Sequence, residues 1–249
     1  MSLLSPLKYF VLRAFMDLRD LALGPRYRIE GARLSLPRGG NAFIKLALIS
    51  DAYERDEREM IKAFLPPDLP VIELGGSYGV VSFTIRRCLM ADQTLVVVEA
   101  NPAVLPICQA NVAVAGATDR TRVVHAALAY GDSTVRFKIT GNVHTSHLVF
   151  DGSTGPGIVD VPSANLQSLR ETNAITGPYS LVCDIEGAEL LMLRNDAQAL
   201  SDCHLLIMET HPDAYAAMDG SLAEVFGHLD RLGFRVFNKR TDVVMARRA

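Results

Sequence analysis

Residues Val71-Ile72-Glu73-Leu74 lead into Gly75-Gly76-Ser77-Tyr78-Gly79, and a second run, Leu95-Val96-Val97-Val98, ends on Glu99. Each is an apolar run carried to an acid, and the first then breaks into glycines. Short, nearly continuous apolar runs bounded by turn residues are the pattern of strands buried on both faces of a sheet. Glycine directly after such a strand lets the backbone turn sharply and approach a ligand. The pair therefore predicts the first two strands of a nucleotide-binding α/β sheet.

The rest of the chain keeps that rhythm. Helical spacing from about Val80 to Leu89 follows the first strand, and Asn101-Pro102 opens a helix ending near Gly116. A third strand is expected at Arg122–His125, a fourth at Leu181–Cys183 and a fifth at Leu205–Met208, with helices at Leu166–Thr172 and Leu222–Leu232. Strands alternating with helices of this length argue for βαβ units and a mostly parallel sheet. Phe234–Asn238 and Val243–Ala246 are too close in sequence for a crossover and must form an antiparallel hairpin. The expected fold class is α/β, a Rossmann-like seven-stranded sheet closed by that hairpin, with an N-terminal helical extension. The extension is placed at residues 1–52 and the ligand-binding domain at residues 53–249. A segment at about 134–162, with strands at Thr134–Thr140 and Ile158–Pro162 around a polar glycine-rich stretch, reads as an insertion at the open end of the sheet.

Within the extension, Arg28–Leu36 reads as a short strand pair or an extended segment, and Leu7, Phe10, Val11, Ala14, Phe15, Leu18 and Leu21 fall on one helical face. That stripe is expected to pack on the protein's own core or on a second copy, with contact to a membrane surface as the alternative. Charged residues interrupt the run, so no transmembrane span is expected. A helix from Glu54 to Leu65 stops at Pro66-Pro67. The net charge of −3 carries no basic excess, which argues against a nucleic-acid partner. Cys88, Cys108, Cys183 and Cys203 form no CxxC pair and suit reduced thiols in a cytoplasmic protein.

A dinucleotide turn uses three glycines to bring a helix N-terminus against pyrophosphate. Here the third is missing from register. S-adenosylmethionine has no phosphate, and needs only a tight turn where backbone meets its methionyl part. Gly75, Gly76, Ser77 and Gly79 supply that turn, and Glu73 suits the ammonium group. Glu99 is placed to accept hydrogen bonds from ribose hydroxyls. Ala126, in His125-Ala126-Ala127 after the third strand, leaves room for adenine.

Asp184-Ile185-Glu186-Gly187-Ala188-Glu189 and Glu209-Thr210-His211 end the fourth and fifth strands at the same rim. With Glu73–Gly79 and Val98-Glu99-Ala100-Asn101-Pro102, these segments resemble the FkbM-type methyltransferases, from about Tyr53 to the C-terminus; the segment Asp184–Glu189 is the most specific part. The resemblance implies an S-adenosylmethionine-dependent O-methyltransferase acting on a hydroxyl of a sugar, polyketide or related metabolite, so a small-molecule or glycan acceptor. The family often carries Asn where Ser77 stands and Lys near Cys183, which leaves the strand end without a cation.

Methyl transfer to an alcohol calls for alignment and a base. Asp184 is the first candidate, with His211 and Glu209 as alternates, while Glu186 and Glu189 suit capping, loop hydrogen bonds or an ion pair. The reading assigns no metal; the alternative has Asp184, Glu209 and His211 hold a divalent cation. His144 and His147, three apart in the insertion, read as solvated loop residues. Two rival functions are a nicotinamide-dependent oxidoreductase and a catalytically silent S-adenosylmethionine-binding scaffold.

Overall fold

The computed structural model describes residues 6–140, 146–149 and 153–248. An N-terminal helix, α1 (Pro6–Leu23), precedes the hairpin β1 (Arg26–Ile29) and β2 (Ala32–Ser35), then helices α2 (Ala42–Ile49) and α3 (Arg55–Phe64). The first βαβ units follow: β3 (Val71–Leu74), α4 (Val80–Cys88), β4 (Leu95–Glu99), α5 (Leu105–Ala113) and β5 (Thr121–His125). The strands β6 (Ala127–Leu128), β7 (Thr134–Lys138), β8 (His147–Leu148) and β9 (Ile158–Ala164) come next. The chain continues through α6 (Leu166–Thr172), β10 (Tyr179–Cys183), α7 (Glu189–Asn195), α8 (Ala197–Leu200) and β11 (Cys203–Glu209). It ends with α9 (Pro212–Ala217), α10 (Leu222–Arg231), β12 (Phe234–Arg240) and β13 (Val243–Arg248).

Seven strands form one sheet in the order β12-β13-β11-β10-β3-β4-β5. The four pairings that join β11, β10, β3, β4 and β5 are parallel, and β13 pairs antiparallel with both β11 and β12. The predicted sheet and hairpin are thus both present. Strand β3 runs on to β4 and β5 on one side, while β10 returns to its other side, so the order reverses between β3 and β10. In open α/β sheets, that reversal leaves a crevice at the carboxyl ends of the strands.

Two apolar layers hold the sheet. Ile72, Leu74, Val96, Leu181, Cys183 and Leu206 pack beneath α6, α7 and α10. On the other face Val71, Val97, Val182 and Ile207 pack with Met60 and Ile61 of α3 and Val81 and Ile85 of α4. Alternate residues of each strand supply the two layers, as the period of two requires. Cys108, Cys183 and Cys203 are buried in these layers, Cys88 is half-buried, and all four are free thiols.

The insertion is more than a loop. Strands β6, β9, β7 and β8 form a second sheet in that order, with Ala127, Phe137 and Val161 as its small core. His147 lies exposed in β8, whereas His144 is outside the described residues.

The N-terminal extension departs from expectation in one respect. Hairpin β1–β2 forms as predicted, and Tyr27, Ile29 and Leu34 pack against Tyr78, Val80 and Phe83 of the sheet domain. Helix α1, however, does not put its apolar stripe on the core. It buries Met16 and Asp20, and Asp20 takes hydrogen bonds from Lys45 (2.6 Å), Tyr27 (2.7 Å) and Arg19 (2.8 Å). A buried carboxylate with three donors fixes the rotation of the helix, and Phe10, Val11, Phe15, Leu18 and Leu21 face outward.

Candidate active site

The turn after β3 is fixed by sterics and by β4. The amides of Gly75 and Gly76 both donate to Val98 O, at 2.9 and 3.0 Å. Gly75 has φ +95°, and a Cβ there would stand 1.8 Å from the carbonyl oxygen of Asp184. Only glycine lets the ends of β3 and β10 meet this closely. Gly76 and Gly79 are required by different neighbours. A Cβ on Gly76 would meet Val97 at 2.4 Å, and one on Gly79 would meet the Cys108 carbonyl at 2.8 Å. Both glycines thus seat α4 and α5 against the sheet.

Glu99, at the end of β4, is buried and grips two amides. Its Oε2 accepts from Ser77 N and its Oε1 from Asn101 N, each at 2.6 Å. Burial raises its pKa, and those amide contacts counteract the rise. Each carboxylate oxygen keeps a further lone pair.

A cavity opens between these groups, concave and mostly apolar as small-ligand sites are. Gly75, Ser77, Glu99 and Asn101 line one side, and Ala126, Ala127 and Leu128 another. Phe137, Ser146 and Leu148 reach in from the second sheet, and Asp184 and Glu186 bound the far end. Phe137, Ser146 and Leu148 escaped the sequence reading, although the insertion they come from did not. His125 is absent from this lining and instead holds Ala100 O at 3.1 Å.

Glu73 is 1% exposed and lines a smaller adjoining cavity with Tyr53, Glu54, Glu57, Gly75, Gly76, Ser77 and Asp184. Neither of its carboxylate oxygens has a hydrogen-bond partner. Burial pushes its pKa up to about 8, and the Glu99 charge adds to the effect. Glu54 and Glu57, beside it, were read from sequence only as part of an amphipathic helix. Glu57 is buried and its pKa stands well above the usual range, through burial and then the Glu54 charge.

The acids after β10 and the histidine after β11 do converge. His211 Nε2 lies 3.4 Å from Asp184 Oδ1 and 3.6 Å from Glu186 Oε2, while Nδ1 lies 3.2 Å from Glu189 Oε1. Burial opposes charging this ring, but contact with Glu189 and the charges of Asp184 and Glu186 override it and raise the pKa to about 10. His211 is therefore an imidazolium at neutral pH. Burial, followed by the charges of Glu209 and Glu54, lifts Asp184 well above the ordinary carboxylate range. Burial likewise brings Glu186 to about 7 despite the opposing charge of His211.

Glu189 organises the loop. It is wholly buried at the first position of α7, and accepts from Ile185 N (2.8 Å), Gly187 N (2.9 Å) and the Tyr215 hydroxyl (3.1 Å). These bonds hold Glu186 and Gly187 at positive φ, +53° and +107°. Glu209 stands apart, lining an acidic hollow with Glu54, Glu57 and Asp242. Among the described residues the three groups spaced for a cation are accordingly Asp184, Glu186 and His211, whose ligand atoms lie within 4.8 Å of one another. Glu209 is not in that set.

Several solved structures align with this chain at low identity. The O-methyltransferase from Bacillus cereus in complex with SAH aligns with 78% of this chain and 81% of its own, at TM-score 0.47 and 12% identity. Precorrin-6y C5,15-methyltransferase from Geobacter metallireducens aligns over 78% and 89%, at TM-score 0.47 and 13% identity. The N-terminal domain of EvdMO1 with SAH bound aligns over 95% and 97%, at TM-score 0.46 and 15% identity. No curated protein matches the sequence. The family described as methyltransferase FkbM domain matches residues 73–236 of the 249, a span holding the Gly75 turn, Glu99, Asp184, Glu189 and His211. This chain belongs to the FkbM methyltransferase family.

Proposed function

We propose that this methyltransferase uses S-adenosylmethionine to methylate a hydroxyl of a small molecule or glycan, a sugar or polyketide among them. The observation that supports the reading most is that Glu99 and Asp184, from strands on either side of β3, line one cavity. The residues present fit this cofactor. Ser77 and Asn101 fix Glu99 where its remaining lone pairs suit ribose hydroxyls. Ala126 and Ala127 leave space for a flat ring beside Phe137. Glu73, a buried carboxyl with neither oxygen hydrogen-bonded, is protonated before the ligand binds and gives up that proton when the ligand's ammonium arrives to pair with it. Gly75 and Gly76 keep the same wall free of side chains. A pyrophosphate would meet the Glu99 carboxylate and find no Lys or Arg among the described residues that line the cavity, which disfavours a nicotinamide dinucleotide.

When bound, the cofactor supplies an electrophilic methyl on sulfur. The chain's own task is to align the acceptor oxygen and take its proton. Asp184 is our base: its raised pKa makes it a stronger proton acceptor than an ordinary carboxylate. His211, already protonated, does not compete for that role. Its positive charge opposes the rise of the Asp184 and Glu186 pKa and so favours the ionised form that a base needs, while Glu189 meets the other ring nitrogen. Glu209, further along the rim, tunes Asp184 by charge.

Calorimetry with S-adenosylmethionine, S-adenosylhomocysteine and NAD tests the cofactor: the first two bind and the last does not. Binding of NAD alone overturns the reading. Conversion of S-adenosylmethionine to S-adenosylhomocysteine with a panel of sugar and polyketide alcohols then tests the acceptor class. Turnover with amines or thiols in place of every alcohol defeats that part.

A further inference from the structure

Helix α1 is built the wrong way round for a helix of a water-soluble surface. Its inward face carries Asp20, joined to the fully buried Lys45, with Met16 and the Tyr9 ring stacked against Phe43 at 5.2 Å. Its outward face carries Phe10, Val11, Phe15, Leu18 and Leu21, each between 59% and 73% exposed. At 100° per residue these positions, with Ala14 and Ala22 among them, form one stripe wider than about 100° that holds no polar side chain. Single exposed apolar residues are ordinary, but a contiguous set of this size marks an interaction surface.

The charges nearby say what it meets. The first 40 residues hold seven Lys and Arg against three Asp and Glu, a net +4, in a chain whose total is −3. Lys8 and Arg13 on α1 are exposed. So are Arg26 and Arg28 on β1 and Arg33, which stands opposite Arg28 on β2. A second copy of this unit would bring like charges together, whereas an anionic surface complements them. No helix among the described residues is long and apolar enough to cross a membrane. An amphipathic helix with an unbroken apolar face and basic neighbours lies instead in the plane of the headgroups.

We propose that α1 docks this protein on an anionic bilayer surface, with Phe10, Phe15, Leu18 and Leu21 at the acyl boundary and the N-terminal arginines on lipid phosphates. This stands independently of the acceptor's identity. The test is co-sedimentation of the full chain with phosphatidylserine-rich and with pure phosphatidylcholine vesicles. The expected result is binding to the former only, weakened by high salt. The double substitution Phe15→Ser, Leu18→Ser should reduce it about tenfold or more. Both residues are exposed, so the variant keeps its melting temperature and its affinity for S-adenosylmethionine, which separates lost docking from lost folding. The proposal is overturned if the wild type binds neither vesicle, or binds both equally, or if the double variant binds as well as wild type. A lipid-free dimer abolished by the double substitution, with no vesicle binding, would assign the face to a second copy instead.

Discussion

Two aspartates in this molecule, Asp20 buried and Asp184 half-buried, meet opposite fates. Asp20 collects hydrogen bonds from Lys45, Tyr27 and Arg19, and although burial works against it, these donors hold its pKa below the usual range. Asp184 is surrounded by Glu186, Glu189, Glu209 and Glu54 with His211 as the near cation, and burial and those charges push it well above. The first cluster is balanced and has every oxygen satisfied. The second carries surplus negative charge, and Asp184 Oδ1 has no hydrogen-bond partner. Balance suits a structural anchor. Surplus charge and unmet hydrogen bonds cost stability, and such groups gather where ligands are handled.

The comparison breaks most severely if the strand ends are pushed apart. Gly75→Ala places a methyl 1.8 Å from the Asp184 carbonyl at a φ of +95°, so both strain and overlap apply, for a loss of about 3 kcal/mol or more. Cofactor affinity should vanish in calorimetry and the melting temperature should fall. Lys45→Met attacks the balanced cluster: removing one partner of a buried pair costs about 3–5 kcal/mol. Denaturant unfolding should show that loss, while kcat of the folded fraction stays near wild type. Asp184→Asn is the mirror case. It should lower kcat by about 10²–10⁴-fold with the melting temperature kept or raised, because it removes a charge from a crowded site. A large loss of stability instead would make Asp184 a structural group like Asp20.

Titration sharpens the contrast further. Glu73 has a folded pKa of about 8, above the value of about 4.3 in an unfolded chain, so the folded state binds the extra proton. Its contribution is complete at acid pH and is lost as pH rises through about 8. His211, raised to about 10, acts in the same direction, complete below about 6.5 and lost through about 10. Asp20 acts oppositely, contributing above about 3.9 and failing only as pH falls through its lowered value. The melting temperature should therefore decline from about pH 5 to about pH 9, and Glu73→Gln should flatten the decline. The smallest effect expected is none: EDTA should leave turnover unchanged, since the imidazolium already supplies positive charge. Loss of activity on chelation and its return with magnesium would give Asp184, Glu186 and His211 to a cation.

The two clusters also differ in how far the sequence discloses them. Strand-ending acids and glycines announce the rim, because both the turn after β3 and the alternation of βαβ units leave local signatures. The pairing of Asp20 with Lys45 leaves none. Helix α2 reads Ala-Phe-Ile-Lys-Leu-Ala-Leu-Ile, apolar on nearly every side, and has no periodicity to mark it as a helix. Its one charged residue, Lys45, is among those it buries. Without that contact the rotation of α1 cannot be deduced, and an apolar stripe is naturally assigned to the core. Helix α9, which follows His211 directly with Pro212 at its start and is six residues long, is too short to leave a periodic pattern. Glu54 and Glu57 are hidden for the reverse reason. Acids in the first turn of a helix read as solvated partners of the helix dipole, and only the sheet packed beside them reveals that they face inward.

Glu189 has one more consequence, and it concerns time. Its two oxygens tie down the amides of Ile185 and Gly187, so the acidic loop is already in its working shape before anything arrives. Those amide protons should exchange with heavy water slowly, and should do so to the same extent with and without cofactor. Any adjustment to the ligand then falls to the opposite wall, if to either, and Phe137 and Leu148 of the second sheet line it.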